Sequence, residues 1–183
     1  ADKAHDGEKL VILHTNDTHS QIVPGNDNLG GVMRRKAIID SVRNAEKNVL
    51  LVDAGDAVQG TLYFYLYGGK VEQEVMNILG VEARILGNHE FDNGIDSLAA
   101  VLKYSDAEML SANYDLSQTP LAGRFKPYTI KEYGGKHIGI IGINLDPNGI
   151  ISPDNFKGLE YLPIVATANL TAEKLKKEEK VDA

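Results

Sequence analysis

The sequence predicts an α/β fold with a largely parallel sheet. Up to Ala112, short β-branched runs alternate with amphipathic stretches of helical length. The first three apolar runs each end in a polar cluster: His14-Thr15-Asn16-Asp17-Thr18-His19, Asp53-Ala54-Gly55-Asp56, and Gly87-Asn88-His89-Glu90-Phe91-Asp92. Apolar residues make up 43% of the 183, enough for a packed core.

Leu10-Val11-Ile12-Leu13 reads as a buried strand running into a loop. After Gly30-Gly31, the stretch Val32 to Glu46 reads as a helix, with Val32, Ala37, Ile38, Val42 and Ala45 on one face. Val49 to Val52 is the second strand. Lys70 to Leu79 is the next helix, and Gly80 suits its carboxyl-terminal cap. Ala83 to Leu86 is a third strand, Ile95 to Lys103 a helix, and Glu108 to Ala112 a fourth strand. The pattern then changes. Tyr128 to Tyr133, the Gly134-Gly135 turn and Lys136 to Asn144 read as a hairpin. Asp146 to Gly158 is a loop rich in Pro, Asn and Gly. Leu159 to Val165 has room for one short strand, and Thr167 to Lys180 reads as a charged amphipathic helix.

Composition narrows the function classes. The net charge is −7 and no basic cluster stands out, which disfavours nucleic acid as the partner. An acidic balance remains compatible with a phosphate substrate, because bound cations reverse the local field. The absence of cysteine removes disulfides, iron–sulfur clusters and thiol catalysis. No apolar run approaches the roughly 20 residues of a membrane span. Residues 1–9 are polar and start with Ala1, so they read as a flexible tail with a processed or trimmed start; residues 10–183 form the folded part. Val181-Asp182-Ala183 resembles the entry to a further buried strand.

The polar clusters carry the chemistry. Asp17 and His19, two residues apart in an extended segment, point to one side and can converge on one cation. Open α/β sheets bind ligands beyond the carboxyl ends of their strands, which is where this pair falls. Asp56 follows Gly55 at the second strand end, and its two oxygens can bridge two cations; the ordinary alternative is turn chemistry. Asn88 offers a neutral oxygen that limits charge crowding. His89 has Asp92 three residues on, a carboxylate placed to fix the tautomer and favour the charged ring. Three such strand ends together point to a metal site.

Other polar residues read as structural. His14 is expected to be packed and hydrogen-bonded. His137 opens a strand, and His5 falls in the tail. Asp53 is expected beside the site rather than on the metal. Asn113 suits a supporting or backbone-capping role. Tyr63, Phe64, Tyr65 and Tyr67 read as packing under a loop, with a substrate-facing wall as the alternative. Asn16-Asp17-Thr18 and Asn169-Leu170-Thr171 match the glycosylation sequon, a pattern common by chance.

These motifs resemble a known family. Ile12 to His19, Gly30-Gly31, Asp53 to Gly60, Met76-Asn77, Gly87 to Gly94 and Ser111-Ala112-Asn113 resemble the amino-terminal half of the metallophosphatase domain of 5′-nucleotidases, within the calcineurin-like metallophosphoesterase superfamily. The resemblance implies a four-layer α/β/β/α sandwich with mixed sheets, incomplete at the carboxyl terminus. It implies two divalent metal ions, zinc or manganese foremost. Asp17 and His19 would bind one, Asp56 would bridge both, and Asn88 would bind the second. His89 would stabilise the phosphoryl transition state, assisted by Asp92. Family members supply three further histidines from a Ser-His type loop and a Gly-His-x-His loop, and a nucleoside-binding carboxyl-terminal domain. None of these motifs occurs here, so the chain is expected to be a fragment.

The implied function of the parent is hydrolysis of phosphate monoesters, 5′-nucleotides foremost. The alternatives are a phosphoesterase for cyclic nucleotides or nucleotide sugars, and a non-catalytic metal-binding or interaction module. A sheet left unfinished exposes an apolar edge, so association with itself or with a missing portion is expected. Family analogy places the protein in the periplasm or at the cell surface.

Overall fold

The computed structural model describes residues 9–183. The tail reading and His5 fall outside the described residues, except Lys9, whose ammonium pairs with Glu46 at 2.6 Å. The elements are β1 (Val11–Thr15), α1 (Val32–Ala45), β2 (Val49–Asp53), α2 (Leu62–Tyr67), α3 (Lys70–Leu79), β3 (Ala83–Arg84), α4 (Ile95–Val101), β4 (Glu108–Met109), β5 (Tyr114–Asp115), β6 (Tyr128–Tyr133), β7 (Lys136–Ile141), β8 (Glu160–Tyr161) and α5 (Ile164–Lys177).

Strands β1-β2-β3-β4 form a four-stranded parallel sheet in chain order. Its longest ladder runs from Val11 opposite Val49 to Thr15 opposite Asp53. This register brings the ends of β1 and β2 level, so their two polar clusters open at one sheet edge. Beyond β4 the backbone keeps pairing. The Leu110 N–H donates to Arg84 O at 2.7 Å, Ser111 to Lys126 O at 2.8 Å, and Ala112 to Gly142 O at 2.7 Å. These bonds, with a parallel bridge between Leu110 and Lys126, join the separate antiparallel hairpin β6–β7 to the β4 side, so the arrangement as a whole is mixed. Glu108 fastens the hairpin through Lys131 at 2.6 Å and Lys126 at 3.1 Å. Burial raises the Glu108 pKa, but those ammonium groups outweigh it and hold the carboxyl down to about 2. Strands β5 and β8 make a separate antiparallel pair.

Two apolar clusters flank the sheet. Val32 and Ile39 of α1 meet Val75, Met76 and Leu79 of α3 over Leu51. Ile95 and Leu98 of α4 meet Leu86, Phe91, Met109 and Tyr114. Phe91 is 0% exposed, so the core itself holds down the Gly87-Asn88-His89-Glu90-Phe91-Asp92 loop.

Several expectations need correction. The buried face of α1 is turned by a residue: Ile39 is buried and Ile38 is exposed. The turn follows from Arg35, on the same side as Val32 and Ile39, reaching Gln21 O at 2.9 Å. Strands 3 and 4 pair over two residues each rather than four or five. The 95–103 helix is α-helical only to Val101 and finishes as a 3-10 turn, Leu102–Tyr104. The last helix starts at Ile164, so the expected strand over 159–165 shrinks to Glu160–Tyr161. A 3-10 turn, Pro153–Phe156, interrupts the 146–158 loop. The Tyr-rich stretch is a helix, α2, with Phe64 buried and Tyr65 and Tyr67 exposed. His14 is exposed rather than packed. It lies within β1, the edge strand, on the same face as the exposed Ile12, while Leu13 packs on the helical side.

Candidate metal centre

The site is assembled by three loops that follow β1, β2 and β3. Backbone hydrogen bonds dock the first loop onto the second. The Asp17 N–H donates to Gly55 O at 3.0 Å, His19 to Asp56 O at 3.0 Å, and Ser20 to Ala57 O at 2.9 Å. This docking holds Asp17, His19, Ser20 and Asp56 at φ of 51°, 42°, 53° and 51°. Left-handed backbone at non-glycine residues costs free energy and gathers where a site must be aimed. Asp17 and His19 are therefore set by curled backbone, not by the extended alternation from which their convergence was read.

The second and third loops touch backbone to backbone. A Cβ on Gly55 would lie 2.3 Å from Gly87 N, and one on Gly87 would lie 2.1 Å from an Asp56 carboxylate oxygen. Glycine at both positions is what allows Asp56 to reach the third loop. There its carboxylate accepts the His89 N–H at 2.8 Å.

His19, Asp56 and His89 each present a ligand atom within 4.8 Å of the others. The two imidazole rings stand edge to face with centroids 5.2 Å apart. His19 Nδ1 is buried with no hydrogen-bond partner among the described residues. A carboxylate, two imidazoles and an orphaned ring nitrogen fit a divalent cation of the zinc or manganese type. His89 Nδ1 lies 2.9 Å from Asp92 Oδ2, which leaves Nε2 to face the site. Burial lowers the His89 pKa, but the hydrogen bond and charge of Asp92, with Asp56 and Glu90, outweigh it and raise the pKa.

The remaining predicted site residues stand at the margin. Asp17 Oδ1 is 3.7 Å from His19 Nε2, while its other oxygen accepts from Asn16 at 2.5 Å; Asp17 is not part of the His19–Asp56–His89 cluster. Asn88 is half-buried, and its carbonyl accepts the Phe91 N–H at 3.1 Å.

Sequence reasoning missed Glu90, Arg84 and Asn144 beneath the site, whereas Asp53 and Asn113 take the supporting places expected of them. Glu90 is buried, and its carboxylate accepts N–H groups from Gly87 at 2.7 Å, Ala57 at 2.9 Å and Asp56 at 3.0 Å. One side chain thus clamps the second loop to the third. Burial pushes the Glu90 carboxyl pKa up, against the pull of Arg84 and the N–H groups of Ala57 and Asp56. Asp53, also buried, accepts from Thr15 Oγ1 at 2.7 Å, Gly55 N at 3.2 Å and Arg84 at 3.4 Å. Arg84 in turn donates to Gln73 at 2.6 Å. Asn113 and Asn144 pair through side chain and backbone at 2.7 and 2.8 Å, and Asn144 also holds Leu86 O at 2.9 Å, just before the third loop. A charged residue inside an apolar run, such as Arg84 after Ala83, was the available signal.

The profile of the family described as calcineurin-like phosphoesterase matches residues 10–182. This chain belongs to the calcineurin-like metallophosphoesterase family. A 5′-nucleotidase of Rattus norvegicus is 40% identical over 149 residues, 73% of this chain and 26% of the rat protein. An NAD 5′-nucleotidase of Haemophilus influenzae is 35% identical over 190 residues, 97% of this chain and 32% of its own length. The crystal structure of a Thermus thermophilus 5′-nucleotidase precursor superposes with a TM-score of 0.83 at 36% identity, covering 93% of this chain and 35% of that one. The α/β fold with mixed sheets thus matches that of 5′-nucleotidases, and the chain spans about a third or less of the relatives' length. The family is one of hydrolases that use divalent metal ions. No described helix is long and apolar enough to cross a membrane.

Proposed function

We propose that this chain is the amino-terminal part of a metallophosphatase domain whose parent protein hydrolyses phosphate monoesters, 5′-nucleotides foremost, with two divalent metal ions. The single observation that carries the reading is the convergence of His19, Asp56 and His89 at the ends of three adjacent parallel strands. Names of relatives at 35–40% identity support the nucleotide as substrate. By family analogy the parent is placed in the periplasm or at the cell surface.

Asp17, His19, Asp56 and Asn88 would hold the metals. Bound divalent cations supply positive charge to the phosphate oxygens and acidify a bound water. Asp56 is oriented by the His89 N–H, so its carboxylate is fixed before any cation arrives. Asp92 fixes the tautomer of His89 and favours its protonated form. Protonated His89 donates from Nε2 to a phosphoryl oxygen, where negative charge grows in the transition state. The reaction asks for positioning and charge stabilisation, and the interlocked loops give both.

Activity of the full-length parent tests this reading. Phosphate release from nucleoside monophosphates with added zinc or manganese is expected. A nucleotide panel without release would refute the substrate class. His89 also qualifies as a metal ligand through Nε2, because it lies within the cluster. The His89→Asn variant separates the roles. Metal content retained with activity lost marks the transition-state donor, and metal lost marks a ligand.

A further inference from the structure

Behind the first loop lies a small cavity bounded by Ser20, Arg35, Ala57, Glu72 and Met76. It has about 10 Å³ for the centre of a water molecule, which is room for one. Three of its side chains present unsatisfied polar atoms. Among the described residues, both Glu72 carboxylate oxygens are buried without a hydrogen-bond partner, as are Ser20 Oγ and Arg35 Nη1. Glu72 is 2% exposed and Ser20 1%. The neighbouring groups are already engaged: the Ser20 N–H on Ala57 O, the Ser20 carbonyl on Thr61 Oγ1 at 2.9 Å, and Arg35 Nη2 on Gln21 O.

A buried carboxylate with no partner is costly, and a site so built implies an occupant. The occupant must donate to Glu72, accept from Arg35 and bond a hydroxyl. Water does all three, whereas a cation would be repelled by the guanidinium. We infer that one ordered water links Glu72 of α3 to Ser20 and Arg35, and that Glu72 is through it a positioning residue for His19. The chain of support is short, because Ser20 follows His19 and both hang on the second loop by their own N–H groups. The inference rests on reading His19 as a metal ligand.

Hydrogen–deuterium exchange of the metal-free chain and calorimetric titration with Mn²⁺ test it together. Glu72→Leu is expected to speed exchange of the His19, Ser20 and Ile22 amides about tenfold or more, with Leu50 and Leu51 in β2 unchanged. Supporting groups around a metal site typically contribute 10–100-fold in affinity, so Mn²⁺ binding should weaken by about tenfold. Glu72→Gln keeps one carbonyl acceptor and should restore most of both. If Glu72→Leu does not fold, Ser20→Ala is expected to give the same local loosening. First-loop amides as protected as in wild type, or exchange sped equally across β2, would overturn the inference. A high-resolution crystal structure with a dry cavity would overturn it too. Wild type that binds no Mn²⁺ would overturn His19 as a ligand within this chain alone, while the exchange pattern would still judge the water link.

Discussion

At His89 two opposed effects meet, and the carboxylates win: its pKa is raised despite burial. The folded metal-free protein thus holds a proton there more tightly than the unfolded chain does. The stabilisation is fully present below about pH 6.5, the unperturbed value, and is lost as pH rises through the raised value. Replacing Asp92 by Asn removes the negative charge 2.9 Å from the ring nitrogen while leaving an acceptor there, and should lower the pKa of His89. An NMR titration of the ring checks this; an unchanged midpoint would refute it. Glu90 makes a different kind of contribution. Its carboxylate serves three backbone donors inside the protein, so Glu90→Gln turns one acceptor into a donor facing N–H groups. The expected loss is about 2–3 kcal/mol, measured by urea unfolding. The candidate ligands were legible in the sequence because each sits just past an apolar run. Glu90 was not, since its role is to pair with backbone more than thirty residues away.

Among the elements, the second and third loops are joined most tightly. Gly87→Ala would place a Cβ 2.1 Å from the Asp56 carboxylate and 2.6 Å from the Asp56 backbone nitrogen, which cannot yield without moving the second loop. About 3 kcal/mol of stability should be lost, read from a thermal melt. Unchanged melting would mean the loops give way more easily than their packing implies. The longer elements could be read from the sequence because their periodicity is strong: α3 buries Val75, Met76 and Leu79 along one stripe. Helix α2 could not, because Leu62 to Tyr67 is apolar or aromatic at every position and has no period. Strands β5 and β8 pair over two residues each, with forty-odd residues between them. No local pattern announces a partner that far away. The face of α1 was misjudged for a related reason: Arg35 buries its stem and reaches the first loop, an amphipathic choice that a hydrophobicity pattern scores as polar.

For the whole molecule, metal binding should act as a stabiliser. A cation held by His19 and Asp56 ties the first loop to the second, and one also held by His89 ties in the third. Ligand at a hundred times its dissociation constant adds about 2.7 kcal/mol to a folded state that alone binds it. Zinc or manganese should therefore raise the melting temperature of wild type and leave that of Asp56→Ala unmoved. Equal shifts in both proteins would place the cation elsewhere. The sheet order β1-β2-β3-β4 carries one more consequence. Each strand lies beside the one made just before it, so no strand of this sheet waits for a distant partner. Each parallel pairing still has to close a crossover, because no tight turn can join parallel strands. During synthesis from the amino terminus, the growing chain can lay down the sheet in the order it is made. By the time Asp92 has been added, every residue that this chain gives to the candidate centre already exists, and metal capture can begin before the remainder is made.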